Sequence, residues 1–350
     1  MKTESSVFCA MANRPLVLLT LILLPFAGPA WGQTTISLNN SGQQTFAFDP
    51  TNHFLYVAQQ GTVGHNLNVI NTLTNIVVGS TTFAGSSYAS QVAASGTTVF
   101  WASQSDSTVQ VFSVNGSGVP SLTRTDTPIN LATGIAALST TYAVSKQGTG
   151  DFLEIRNLAG VLSLNVPLSG VAGQVFADSN TNRYYARATN SYKIIDPVTG
   201  SILGTLSGFV MAIDSSASHN FVYMQDGVTT TQLNQLNGTS NTQTTFYNFS
   251  AAFTDVAVNS ANGDVFVALP SLNLVDHFNS SLTLLGQYTV AGAQSLAFAD
   301  GNLYVDVTGQ NFLTVIAIPE PATWSVLLVG LGLVSAILRR RVKAVPLGAR

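Results

Sequence analysis

The sequence predicts an all-β chain, a seven-bladed β-propeller, set between an N-terminal signal helix and a C-terminal transmembrane helix. Three observations predict it. A short aromatic or β-branched run recurs seven times, with starts about 40 residues apart, the period of a four-stranded blade. Each run is flanked by further apolar stretches and by turns rich in Asp, Asn, Ser and Gly, with no helical periodicity between the two ends. A spare strand precedes the first unit, while the last unit has only three.

Taken from the front, residues 1–32 form an export signal. Arg14 stands ahead of an apolar run from Leu16 to Phe26, and small residues follow, with Met11 as an alternative start. The run is short for a spanning helix. Ala30 and Gly32 occupy the small-residue positions that a signal peptidase reads, so the cut falls before Gln33.

The span 33–318 is the ectodomain. Its opening strand, TTISL (Thr34–Leu38), is followed by seven runs: FLYVA from Phe54, VFWAS from Val99, TYAVS from Thr141, RYYAR from Arg183, FVYMQ from Phe221, VFVAL from Val265 and LYVDV from Leu303. Stretches such as AFDPTNH from Ala47 and FADSNTN from Phe176 place a strand and a turn before most runs. Asp and Asn suit these turns because their side chains bond nearby backbone and tolerate left-handed φ. Third strands follow each run, as in LNVIN from Leu67 and LTVIAI from Leu313, and fourth strands follow most of those, as in ILGTL from Ile202. Since the seventh unit stops after three strands at Ile318, Thr34–Leu38 is expected to complete it and leave no open edge.

Only 8% of the residues are charged and 46% are hydrophobic, the opposite of a disordered composition. Between Gln33 and Ile318 there are six Lys or Arg against fourteen Asp or Glu. A domain of that sign repels phosphate backbones, which excludes nucleic acid as a partner. The single cysteine, Cys9, lies ahead of the signal's apolar run, so thiolate and disulfide chemistry are not expected after export.

Candidate chemistry is sparse, and no catalytic residue, metal ligand or cofactor is assigned. His53, His65, His219 and His277 have no zinc-ligand spacing. His53 and His219 occupy equivalent turns before a strand and are read as solvated turn residues. Glu154 is the one Glu between the end segments and falls within a strand, while Asp49, Asp178, Asp214 and Asp300 are read as copies of one turn position. A single active site needs unlike residues, so this repetition points to turn formation. The sequons at Asn39, Asn115, Asn237, Asn248 and Asn279 are likewise read as turns.

The span 319–350 has three parts in fixed order. Pro319 and Pro321 break the preceding strand. An apolar helix is predicted over about 324–338, and Arg339, Arg340, Arg341 and Lys343 follow it as the cluster that keeps a C-terminus cytoplasmic. Pro319, Glu320, Pro321, Ala322 and Thr323, with the helix and the arginines behind them, resemble the PEP-CTERM signal of Gram-negative bacteria. The resemblance implies recognition by an integral-membrane exosortase, cleavage near the Pro-Glu-Pro, and a destination at the cell surface or in an extracellular polysaccharide matrix. The repeats are similar to YVTN-type surface propellers, chiefly in LNVINTLTNIVVGS and YKIIDPVTGSILGTL, although the YVTN tetrapeptide itself is degenerate.

Together these readings give an exported surface or matrix protein that passes through signal peptidase and an exosortase, and acts as a non-enzymatic binding or structural propeller. Extracellular polysaccharide or surface proteins are the partners such a setting offers. The rival is a hydrolase or lactonase on the same scaffold. Unlike Asp, Glu, Asn or His side chains at the channel mouth would favour the enzyme, and a lining of Ser, Thr and small apolar residues would favour binding.

Overall fold

A run such as FLYVA becomes a strand buried on both sides, and the structure makes each of the seven runs the second strand of a four-stranded sheet. The computed structural model describes residues 32–318, apart from 43, 61–63, 84–88, 128 and 149. Ala30, the sorting motif from Pro319 to Thr323, and the basic cluster from Arg339 to Lys343 lie outside the described residues.

In chain order, β1 (Gln33–Ser37) comes first. Blade one is β2 (Gln44–Asp49), β3 (Phe54–Gln59), β4 (His65–Asn71) and β5 (Ile76–Phe83). Blade two is β6 (Ala89–Ser95), β7 (Thr98–Ser103), β8 (Thr108–Val114) and β9 (Pro120–Asp126). Blade three is β10 (Ala132–Ala137), β11 (Thr141–Lys146), β12 (Phe152–Asn157) and β13 (Leu162–Pro167). Blade four is β14 (Ala172–Asp178), β15 (Arg183–Ala188), β16 (Ser191–Ile195) and β17 (Ile202–Ser207). Blade five is β18 (Phe209–Asp214), β19 (Phe221–Gln225), β20 (Gln232–Asn237) and β21 (Gln243–Asn248). Blade six is β22 (Asp255–Asn259), β23 (Asp264–Leu269), β24 (Leu274–Phe278) and β25 (Leu284–Thr289), with one 3₁₀ turn at Pro270–Leu272. Blade seven is β26 (Ala293–Ala299), β27 (Asn302–Val307) and β28 (Phe312–Ala317), completed by β1.

That closure matches the expectation for the spare strand, shifted by one residue. β1 pairs antiparallel with β28 from Gln33 opposite Ile316 to Ser37 opposite Phe312. The first strands of successive blades contact one another around the ring, including β26 with β2.

The core is a ring of seven interfaces, each shared by two neighbouring blades. Second strands sit between two such interfaces, which is why Tyr56, Phe100, Tyr142, Tyr184, Tyr223, Phe266 and Tyr304 are fully buried. Next to the axis there is less room. Ala47 faces Tyr56, Ala93 faces Phe100, Ala212 faces Tyr223, Ala257 faces Phe266 and Ala297 faces Tyr304, pairing a small inner residue with a large one outside it. At Gly134 even a methyl group is too large: a Cβ there would lie 2.4 Å from the Gly173 carbonyl oxygen of the next blade.

Turn chemistry repeats with the blades. Asp49, Asp178 and Asp214 end their first strands buried, and each accepts a backbone N–H two residues on, at 3.0, 2.9 and 3.1 Å. Asp300 departs from the expected equivalence. It lies within a two-residue turn, Asp300-Gly301, with φ of 44° and 75°, the Asp-Gly pattern of a type I′ hairpin. Its carboxylate instead reaches across the seam to blade one, bonding His53 Nδ1 at 2.9 Å and the Thr72 hydroxyl. His53 is therefore a seam residue as well as a turn residue. A second ladder closes the third-to-fourth turns: Asn71, Asn115, Asn157, Asp196, Asn237 and Asn279 each accept a following backbone N–H through Oδ1. The sequon residues Asn115, Asn237 and Asn279 are thus turn formers.

Two faces follow. Ile318 N–H bonds the Gly301 carbonyl at 2.7 Å and Thr72 N–H bonds the His53 carbonyl at 2.9 Å, so the first-to-second and third-to-fourth turns share the face from which the chain leaves, the tail face. The starts of the inner strands open on the opposite, mouth face.

Candidate functional site at the channel mouth

Inner strands have one edge unpaired, because no further strand fits at the axis, so their starts offer backbone donors and acceptors to whatever fills the channel. Glutamine occupies this level in four blades, at Gln44, Gln91, Gln174 and Gln294, around a cavity of about 340 Å³. Thr45, Thr254, Asp255 and Ser295 complete its polar wall. Register shifts near the starts of β14, β18 and β26 accompany Gln174, Met211 and Gln294 in the cavity lining. Further along the axis the lining turns apolar, with Phe46, Phe48, Phe176 and Ile213.

Three of the polar side chains have defined duties. The Gln91 amide crosses two blades: Nε2 donates to the Val175 carbonyl at 2.9 Å, and Oε1 accepts from the N–H of Ile135 at 3.1 Å and of Val175 at 3.2 Å. Gln294 accepts from Thr254 Oγ1 at its carbonyl (2.8 Å) and from Thr308 Oγ1 at Oε1 (3.2 Å). Asp255 joins blades six and seven, accepting from Val256 N–H at 2.9 Å and Leu296 N–H at 2.7 Å. Gln44 is different. It is 1% exposed, and neither atom of its amide has a hydrogen-bond partner. Leaving a buried amide unpaired costs about 1–3 kcal/mol, so Gln44 is the one glutamine of the four whose amide the ring itself leaves unpaired at a cost to stability.

Two carboxyls in this region have abnormal acidity. Burial pushes Asp255 up to about 7, with the charge of Asp306 adding to the shift and the N–H groups of Leu296 and Val256 opposing it. Burial also pushes Asp306 up to about 7 against the N–H groups of Gln44 and Val307. Between the ordinary value of 3.8 and about 7 the folded ring keeps protons that the unfolded chain has released. The sign follows: this contribution to stability is greatest at low pH and is lost as pH rises through 7. Since solvent reaches Asp255 along the channel, the expected loss from pH 5 to 8 is on the order of 2 kcal/mol. That is a fall in Tm of about 5 °C. Thermal melts across this range should show the slope in the wild type and lose it in Asp255→Asn/Asp306→Asn; a flat wild-type profile would refute the assignment.

Sequence reasoning passed over these residues. Asp255, Asp306 and the glutamines lie in no motif, and the available signal was positional: a Gln near the start of the first strand in units one, two, four and seven. Of the sequence-predicted site residues, Gly32 is exposed and Gln33 begins β1, its Nε2 donating to the Thr289 carbonyl at 3.1 Å. Glu154 is buried in β12 between Lys146 (2.6 Å) and Arg156 (2.7 Å). His65 is buried against Trp101, with ring centroids 5.8 Å apart, and His277 bonds Asp264 at 3.0 Å while stacking on Phe266. Among the described residues no three His, Cys, Asp or Glu side chains converge as a metal site.

Seven closed four-stranded blades around a polar-mouthed channel define a β-propeller protein. Residues 317–341 match the PEP-CTERM protein-sorting motif. The chain is thus a seven-bladed propeller with a PEP-CTERM tail, and the motif implies an exported protein with a C-terminal membrane anchor. Among solved structures, the β-propeller domain of Cps50 (Swd1) from Myceliophteria thermophila superposes with a TM-score of 0.64 at 12% identity, covering 82% of this chain and all of that one. A chain of the mitotic checkpoint complex superposes with a TM-score of 0.64 at 11% identity, covering 91% of this chain and all of that one. At such identities the likeness is one of fold alone. No curated protein sequence matches the chain.

Proposed function

We propose that this protein is a non-enzymatic binding propeller, exported through the inner membrane, handled by signal peptidase and an exosortase-type protease, and placed at the bacterial surface or in its extracellular matrix. The observation that carries the reading is the junction at Ile318: β28 ends at Ala317, the sorting motif spans 317–341, and the fold needs nothing beyond the Ile318 N–H bond to Gly301. Cleavage near Pro319, Glu320 and Pro321 therefore leaves the ring intact. A cut before Gln33 does the same at the other end, since Gln33 is the first paired residue of β1.

Binding is assigned to the channel mouth. Its amides and hydroxyls supply donors and acceptors without a cation, which suits a neutral polyhydroxyl ligand such as the end of a polysaccharide chain. The mouth is more polar than the Ser, Thr and small apolar lining expected of a binding channel, and Asp255 and Asp306 are the residues a hydrolase would use. Both are committed to backbone N–H donors across a blade or a blade junction, which supports a structural part for them.

Intact masses of the protein from culture fluid, matrix and membranes, with and without the exosortase, test the reading. The released form should begin at or near Gln33 and end near Pro319. Released protein that retains the whole tail would refute the sorting half. Gln44→Leu should be processed at the same two ends yet lose retention on the cell's own matrix polysaccharide, and undiminished retention would refute the assigned site.

A further inference from the structure

The third-to-fourth turns require an Asx residue at their start and, in most blades, a left-handed residue near their end, Asn75, Gly118, Gly160 and Gly200 among them. Between and beside those positions turn chemistry makes no demand, and an exported protein surrounded by water would place polar groups there. Five blades instead expose aliphatic side chains on these turns or at the first residues of the strand that follows. Leu73 (63% exposed) and Ile76 stand on blade one, Val119 on blade two, Val161 (61%) on blade three, Val198 (74%) on blade four and Leu285 on blade six. Only Asp196 among the turn residues 71–76, 115–120, 157–162, 196–202, 237–243 and 279–284 is ionisable, and its carboxylate is engaged with the Val198 and Thr199 N–H groups.

The chain leaves the ring from this same face. Five residues, 319–323, separate Ile318 from the apolar run that begins at Trp324. Fully extended, they reach at most about 18 Å. The point at which the chain leaves the ring, on the same face as the aliphatic collar, is thus held within that distance of any bilayer that takes the tail.

We propose that the tail face of the propeller lies on the surface of the bilayer that anchors it, with the aliphatic collar seated in the lipid interface and the glutamine-lined mouth turned outward. The occupant of the collar is lipid, because the membrane is the one apolar partner that the tail itself brings to this face; the inference rests on the anchoring reading of that tail. Aliphatic burial drives the seating, while the few charged groups on this face, such as Arg183 on the Gly238 and Thr239 carbonyls and His53 beside Asp300, stay at the level of the lipid headgroups.

The test uses the full chain, in a Cys9→Ser background, reconstituted into phosphatidylcholine vesicles. An environment-sensitive fluorophore is placed at Leu73→Cys, Val161→Cys or Val198→Cys on the tail face, and at Val228→Cys or Leu272→Cys on the mouth face, with lipids carrying a shallow nitroxide as quencher. Quenching of at least twofold is expected at the three tail-face positions and none at Val228 or Leu272. Equal quenching at both faces in protein that floats with the vesicles would overturn the docking and leave the anchor standing. Protein that fails to float would overturn the anchor, and the docking with it. Because the collar residues are exposed, Leu73→Asp/Val161→Asp/Val198→Asp should melt as the wild type does and still float, yet abolish quenching of a label at Val119→Cys; retained quenching would also overturn the docking.

Discussion

Deleting Thr34–Leu38 should destabilise the entire ring, well beyond the end of one blade. The strand contributes Ile36 and Leu38 to the core shared by blades seven and one, where they pack with Leu55, Val57, Tyr304 and Val315. Burying two such side chains is worth about 3–6 kcal/mol. Against a total stability of about 5–15 kcal/mol, that is a large share. The loss falls at the seam, where closure depends on β1, the core it joins, and the polar latch of Asp300 with His53 and Thr72 and of Tyr304 with Asn75 (2.5 Å). With β1 gone, β28 presents an open edge that invites pairing with other chains. The expected fall in Tm is on the order of 10 °C or more, accompanied by aggregation. A peptide spanning Gln33 to Leu38, added in trans, should recover part of the loss by strand addition. An unchanged melting temperature in the deletion variant would mean that closure does not stabilise the ring.

The elements visible in the sequence are those whose burial is unusual. Second strands are packed on both sides, so Tyr184-Tyr185-Ala186 or Val265-Phe266-Val267 reads as an unbroken apolar run wherever it occurs. First strands were harder to see because the axis selects small residues. ASQVAAS (β6) and ATGIAA (β10) have little β-propensity, and their hairpins close without the Asp or Asn that marked the others. Ser95 pairs with Thr98 across Gly96, which supplies φ of 56°, and the turn after β10 is Leu138-Ser139-Thr140. The fourth strand β9, PSLTRTD, is mostly exposed, so its pattern is polar. Asp300 was grouped with Asp49 because both precede a second strand; the type I′ turn leaves it outside the first strand and free to cross the seam. The mouth residues were illegible for another reason, since cavity lining depends on register shifts at the starts of inner strands.

The tail's chemistry separates two mechanisms that share the same residues. A passive anchor needs apolar length and the positive cluster, so replacing Glu320 by Gln changes nothing it uses. An enzyme that reads the motif needs the side chains of Pro319, Glu320 and Pro321, and a neutral amide at the central position removes a charge from the recognised set. The fold sharpens the contrast. Ile318 is fixed to Gly301 and 7% exposed, so the protease must engage a motif that begins at the next residue, with the ring alongside. Glu320→Gln is therefore expected to accumulate as protein that retains the tail in the inner membrane, while the wild type yields a form lacking it. The ring itself should be unaffected: Tm should match the wild type, and the mouth should bind as before. Replacing Arg339, Arg340 and Arg341 by Gln should disturb both mechanisms, because orientation across the membrane depends on that cluster. Equal processing and release of Glu320→Gln and wild type, measured by intact mass in the membrane and external fractions, would show that the carboxylate is not read and that a plain anchor or another protease takes the exosortase's place.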